Sequence, residues 1–320
     1  MLKEVLTSYG DVFEVWFDGA NGEGPSGKAQ VYDWSLFHQT VRQYQPQACM
    51  FSDAGPDVRW VGNEDGYGQE TNWGNFTTEG MYPGMPLTPV SGTGIETGNQ
   101  WIPAECNVSL RPGWFYHPSE KPKTVAHLMD IWYKSMGRNG NLIINVPPNA
   151  DGLIAEEDVQ CLLDFAKARE AEFANSMTIH SIISSESRGE HFIAENAVDD
   201  SPDSYWATSD HLSTGFLEVD FGREVVFDVI EIHEYFQLGQ RVQLFSVEIL
   251  TGNGWQKVAE GTTIGVRRII KFPPASAKRA RLNILNARAC PTISFLKFYE
   301  SPKVRNEAYD YTNCLSPTQQ

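Results

Sequence analysis

The chain has 320 residues, 41% hydrophobic and 21% charged, a globular composition with room for two domains of ordinary size. Its net charge of −16 repels phosphate backbones and anionic membranes, so nucleic acid is not an expected partner. No apolar run approaches the roughly 20 residues of a membrane-spanning helix, and the opening MLKEVLTSYGDVFEV lacks the continuous apolar core of a signal peptide.

In chain order, MLKEVLTSYGD reads as a short helix and VFEVWFD as a strand, followed by WSLFHQTVRQYQP, a helical spacing that stops at Pro46. ACMFSD is a second strand ending in Asp53. VAHLMDIWYKSMGRNG is a helix closed by Gly137 and Gly140, NLIINVPP a third strand, and the segment from Ala155 a long helix with an acidic first turn. Strands alternating with helices predict a parallel α/β sheet. Beyond about Thr178 the rhythm changes to seven short strands, GFLEVDFG, VFDVIEIHEY, QLFSVEIL, GWQKVAEG, RRIIKF, RARLNIL and ISFLKFYE, with no helix between them. That pattern predicts an all-β sandwich or barrel. The expected division is residues 1–178, residues 179–301 and a tail over 302–320.

Five widely spaced cysteines form neither a zinc motif nor a dense disulfide framework. Aromatics make up 12% of the chain, nine of them Trp. They serve either large cores or the stacking of sugar rings on indole faces.

EVWFDGANGEG delivers Asp18 to the end of a strand and follows it with glycines, and RWVGNEDGYGQETNW sets Glu64 between glycines among aromatic and amide side chains. The C-terminal strand ends of an α/β barrel face its active site, and two carboxylates flanked by Trp and Asn meet the needs of glycosidic-bond hydrolysis. Asp18 could equally cap its own turn, and Glu70 is a rival acid. Strand alternation places Trp16 on the face of Asp18, as pocket wall or barrel filling. Trp114 either stacks on a sugar or fills a core. Arg111, His117 and Glu105 lie nearby in sequence as candidate hydroxyl partners or salt-bridging groups.

Together with LRPGWFYHPSE and NLIINVPPNADGLI, these motifs resemble the α-L-fucosidases of glycoside hydrolase family 29, in the branch that cleaves α-1,3- and α-1,4-linked fucose. The resemblance covers roughly residues 1–175. It implies a (β/α)-barrel of which this chain holds the C-terminal part, strand four onward, with the N-terminal strands and their paired histidines missing. It further implies Asp18 as nucleophile and Glu64 as acid/base of a retaining reaction, their carboxyl groups roughly 5–5.5 Å apart. Trp114, Trp16, Arg111, His117 and Glu105 are expected to line the substrate site, with Asn21 and Glu23 reading a branch galactose. No catalytic cofactor is implied. The implied partners are fucosylated glycans, and an open barrel edge adds the expectation of self-association. Relatives of full length are secreted, periplasmic or lysosomal. The alternative is an inactive remnant whose β-sandwich binds carbohydrate or serves as structure.

IAENAVDDSPDSYWATSD, followed by GFLEVDFG, resembles a discoidin-like (coagulation-factor type C) jelly roll. Such modules bind ligands at one end and many hold a structural calcium, for which Asp199, Asp200 and Glu300 are the candidate oxygen donors. Trp206 is expected in the core.

Overall fold

The computed structural model describes residues 1–19, 30–84 and 88–302. Its first half contains α1 (Leu2–Ser8), β1 (Glu14–Trp16), α2 (Trp34–Tyr44), β2 (Cys49–Ser52) and β3 (Val58–Trp60). These are followed by the small pair β4 (Asn75–Phe76) and β5 (Gln100–Trp101), with α3 (Pro89–Thr93) between them, then β6 (Ala104–Ser109), α4 (Val125–Lys134), β7 (Gly140–Asn145) and α5 (Glu156–Glu172). Five strands form one parallel sheet in the order β1-β2-β3-β6-β7. Spatial order that follows chain order means that every crossover winds the same way, so the helices collect on one face. This is a half-barrel; a doubly wound sheet would reverse its order and place helices on both faces.

The outer face carries the aliphatic residues of β1, β2, β6 and β7 and, on β3, the buried Arg59. Met50, with Val15 and Phe17, packs against Leu6 of α1 and Val41 of α2. Val108, Leu142 and Ile144 pack against Leu128, Ile131 and Trp132 of α4 and Phe165 of α5. The inner face carries the alternate residues: Glu14 and Trp16 on β1, Phe51 on β2, Trp60 on β3, Glu105 and Asn107 on β6, and Asn141, Ile143 and Asn145 on β7. Trp16 and Phe51, opposite each other in register, stack at 4.2 Å between ring centroids.

The second half is β-rich: β8 (Ser181–Ser184), β9 (Trp206–Ala207), β10 (Gly215–Glu234), β11 (Val242–Thr251), β12 (Gly254–Gly261), β13 (Arg268–Ala287) and β14 (Thr292–Tyr299). Where the sequence predicts seven short strands, two pairs of segments are continuous. β10 runs through Gly222, where φ of +75° and a register shift between Asp220 and Val225 mark an irregularity. β13 runs through Pro273 and Pro274. Bulges absorb a left-handed glycine or prolines that would otherwise end a strand. The first part of β10 pairs with β8 and its last part with β14, while β13 flanks it throughout. The enclosed core includes Trp206, Phe227, Phe245, Phe272 and Phe298. Trp206 is fully buried and its indole N–H donates to the Glu186 carbonyl at 2.9 Å.

The halves are joined by a built interface. Val229, Ile269 and Tyr299 of the β-rich half belong to the same apolar cluster as α4 and α5. Asn139, at φ +59°, donates to the Asn72 carbonyl at 2.9 Å and to Gln240 at 3.2 Å, and accepts from the Val266 N–H at 2.8 Å. Gln240 also donates to the Asn72 carbonyl. Glu70, the rival acid in the sequence, is held by Arg138 and Arg268 at this seam. Among the described residues no helix is long and apolar enough to cross a membrane.

Candidate active site

Asp18 follows β1 by two residues. The Phe17 N–H extends the ladder to the Phe51 carbonyl at 3.0 Å, so alternation carries Asp18 to the inner face beyond Trp16. Asp53 occupies the matching place after β2. The reason for glycine after Asp18 is visible at Gly19: a Cβ there would lie 2.1 Å from the Gly84 nitrogen. Gly84, at φ +82°, in turn donates its N–H to Asp53 at 2.5 Å. Two backbones therefore meet beside two carboxylates, and only glycine fits the contact. Burial holds the Asp53 carboxyl above its ordinary range, against the pull of the Gly84 N–H and with added repulsion from Asp18. Asn21 and Glu23 lie outside the described residues.

Glu64 sits in the turn after β3, and its neighbours explain the GNEDG sequence. Gly62 and Gly66 adopt φ of +90° and +81°. The Asn63 carbonyl oxygen of the side chain accepts from the Asp65 and Tyr67 N–H groups, and its amide donates to the Tyr67 carbonyl at 2.8 Å. This side-chain turn projects Glu64 while its backbone is tied down. The Trp114 indole N–H donates to Glu64 at 3.2 Å, which joins two residues that the sequence places 50 positions apart. Both Asp18 and Glu64 are exposed.

Trp114 is supported from below. Ser109 donates to the Gly113 carbonyl at 2.7 Å, and Asn145 donates to the Trp114 carbonyl at 3.0 Å. Arg111 departs from the expected role in substrate binding. It is fully buried, bonded to Asp158 at 2.8 Å and Glu157 at 2.6 Å, and it donates to the carbonyls of His117 and Glu120. Its fork is consumed in fastening the loop that carries Trp114 onto the first turn of α5. His117 is exposed and bonded to Ser119 at 2.8 Å. Glu105 is buried deep on β6 and accepts from Asn141 at 2.7 Å.

The calcium set predicted for the β-rich half does not assemble. Asp199 accepts from the Ser201 N–H and the Ser204 hydroxyl of its own turn, Asp200 pairs with Lys297 at 2.6 Å, and Glu300 accepts from Asn175 at 3.1 Å. Each carboxylate is engaged locally, and among the described residues no group of three or more His, Cys, Asp or Glu could hold a metal ion.

Two features of the inner face escape sequence reading. Trp60 donates its indole N–H to Asn107 at 2.6 Å and to the Asn63 carbonyl at 3.1 Å, linking β6 to the Glu64 turn. Glu14 and Glu105 meet as a pair of carboxyl groups. The available signal for both was period-two alternation that puts Glu, Trp and Asn on one face of short strands.

With this geometry in view, comparisons place the chain. The family model for Alpha-L-fucosidase matches residues 1–169, and a model for a NedA-like, galactose-binding domain matches residues 196–282. A provisionally named alpha-L-fucosidase 1 of Oryza sativa subsp. japonica is 44% identical over 299 residues, which cover 92% of this chain and 57% of that protein. Alpha-L-fucosidase 1 of Arabidopsis thaliana is 40% identical over 305 residues, covering 93% and 60%. The solved structure of a GH29 fucosidase of Ruminococcus gnavus in complex with fucose superposes with a TM-score of 0.86 at 30% identity, covering 94% of this chain and 64% of that one. The chain thus spans about 60% of the length of the curated relatives it matches. Over half its length matches one family model and both halves recur together in those relatives; the chain belongs to the alpha-L-fucosidase family, glycoside hydrolase family 29.

Proposed function

We propose that the chain carries the catalytic carboxylates of a retaining α-L-fucosidase acting on α-1,3- and α-1,4-linked fucose in branched glycans. The observation that carries this reading is that Asp18 and Glu64 follow the C-terminal ends of β1 and β3 of one parallel sheet, with the Trp114 N–H on Glu64. Asp18 attacks the anomeric carbon while Glu64 gives its proton to the departing oxygen, leaving a covalent fucosyl-enzyme. Glu64, now ionised, takes a proton from the water that releases fucose. Trp114 orients Glu64 and offers a ring face to the sugar, and Trp16 forms the wall below Asp18. On this reading the five strands are the fourth to eighth of a (β/α)8 barrel, and the β-rich half is a jelly-roll sandwich that buttresses it.

The test is hydrolysis of an aryl α-L-fucoside and a Lewis-type trisaccharide, followed by NMR. Release of the α-anomer first, abolished by Asp18→Asn, is the expected result; the β-anomer first overturns retention. If the folded chain is silent alone but active when mixed with the N-terminal two-fifths of a plant relative, the assignment holds for the assembled barrel. Silence in both cases rejects it.

A second reading, a non-catalytic glycan-binding protein, is favoured by a cleft of about 360 Å³ in the β-rich half, bordered by Ser185, Glu186, Phe216, Asn283 and Leu285. Galactoside binding that survives Asp18→Asn and is lost in Asn283→Ala would support it.

A further inference from the structure

Deep on the inner face, below Asp18, two acidic side chains from different strands touch. Glu105 is 1% exposed, and one of its oxygens accepts from Asn141 at 2.7 Å. Its other oxygen, Oε1, is buried and has no donor, and the same holds for Oε1 of Glu14. The two carboxyl groups are within hydrogen-bonding reach of each other. Two carboxylates are acceptors only, so a bond between them exists only when one carries a proton. Among the described residues no cation pairs with either group.

The surroundings leave no other charge to do this work. On β2, Cys49 is a thiol pushed up to about 11 by burial and by Asp57, Glu14 and Glu105. On β7, Asn141 is neutral. Beyond them, Asp57 and Arg42 form a pair with each other at 2.5 Å. On β1 itself the next carboxylate on the same face is Asp18.

We propose that Glu14 and Glu105 share a single proton, and that this carboxyl–carboxylate bond clamps β1 to β6, making the two glutamates positioning residues for Asp18. Among the described residues β1 pairs through the ladder with β2 alone, so a second attachment on its inner face fixes the direction in which Asp18 leaves the strand. The positioning role rests on the reading of Asp18 given above, whereas the shared proton does not. Burial, followed by repulsion from and hydrogen bonding to Glu105, raises the Glu14 carboxyl to about 7. The folded state then holds a proton that the unfolded chain releases near pH 4.5, so stability from the clamp is present below that pH and is lost as pH rises to about 7.

The experiment is thermal unfolding of the whole chain at steps from pH 4.5 to 7.5, for wild type, Glu14→Gln and Glu105→Gln. A Gln amide donates to the remaining carboxylate at every pH, so each variant keeps the bond without the proton. Wild-type Tm is expected to fall across this window by roughly 2–4 °C more than that of either variant. Taking the difference removes the contributions of other titrating groups, among them His38 and His127, which burial holds below the usual imidazole range. A protonated-carboxyl infrared band that fades above about pH 7 and is missing from both variants reports the proton directly. For the positioning role, Glu14→Ala is expected to lower kcat about 10-fold with KM nearly unchanged, and Glu14→Gln to restore it. Parallel Tm curves for wild type and both Gln variants, with no such band, overturn the shared proton. If one Gln variant fails to fold, the other and the wild-type spectrum decide. The pH window in a chain that never releases fucose keeps the clamp and removes only the fucosidase reading, while full activity in Glu14→Ala overturns positioning.

Discussion

The outer face of the parallel sheet hides Val15, Met50, Val108 and Leu142 under four helices, while on the inner face Trp16 and Ile143 keep 40% and 36% of their surface. In the β-rich half the corresponding apolar residues surround one enclosed core with Trp206 at 0% exposure. A closed core ties nearly every inward residue to stability. A sheet sealed on one side frees the other side for acidic and amide groups, at the cost of stability that must come from the seam between the halves.

This contrast can be broken most forcefully at Asp18. Because Asp18 is exposed at a strand end, Asp18→Asn is expected to leave stability within about 0.5 kcal/mol while reducing fucose release by at least about 10⁴-fold. Urea unfolding beside fucoside hydrolysis measures both, and a large loss of stability would mean that the inner face is structural after all. The reverse pattern is expected at Trp206→Ala, which opens a cavity in the enclosed core and strands the Glu186 carbonyl. It should cost about 3–5 kcal/mol by the same urea measurement, with kcat per folded molecule unchanged.

A smaller effect sharpens the role of the seam. Asn139→Gly preserves the left-handed backbone at φ +59° and removes only the side-chain bonds to Asn72, Gln240 and Val266. The Asn72 carbonyl keeps its bond from Gln240 and Gln240 keeps the Gly74 N–H, so only the part-buried Val266 N–H is stranded and the expected loss is about 1 kcal/mol. It should fall on the parallel-sheet half, separating two unfolding transitions in calorimetry that coincide in wild type. A single transition in the variant would show that the sheet draws its stability from elsewhere.

The sequence is legible where burial is one-sided and the strand is apolar. VFEVWFD, ACMFSD and NLIINVPP announce β1, β2 and β7, and the helical spacings announce α2, α4 and α5. β3 and β6 stay hidden because VRW is short and AECNVS sets Glu105, Asn107 and Ser109 on the inner face, which breaks the apolar pattern a strand normally shows. Arg111 misleads for a related reason. Its motif lies next to Trp114, and nothing local reveals that Asp158, 47 residues on, takes its guanidinium. The seven β segments become fewer and longer because Gly222 and the Pro273–Pro274 pair look like turns in sequence and are absorbed as irregularities in paired strands. Glu64 was legible through its glycines, yet the contact that orients it, from Trp114, depends on a loop fastened by residues of β6, β7 and α5.

That contact is the place for the mildest perturbation of the open face. Trp114→Phe keeps an aromatic plane and removes the N–H that reaches Glu64 at 3.2 Å. The bond is at the long end of the normal range and both partners are exposed, so water replaces part of it. A loss of roughly 3–10-fold in kcat is expected, from a hydrogen bond worth about 1 kcal/mol at such a surface, with urea stability unchanged. Trp114→Ala removes the ring face as well, so a further rise in KM beyond the Phe variant would assign sugar stacking to the ring and orientation to the N–H. Equal kinetics for the two variants would leave the N–H as the whole contribution, and the open face would then recognise the sugar by polar groups alone.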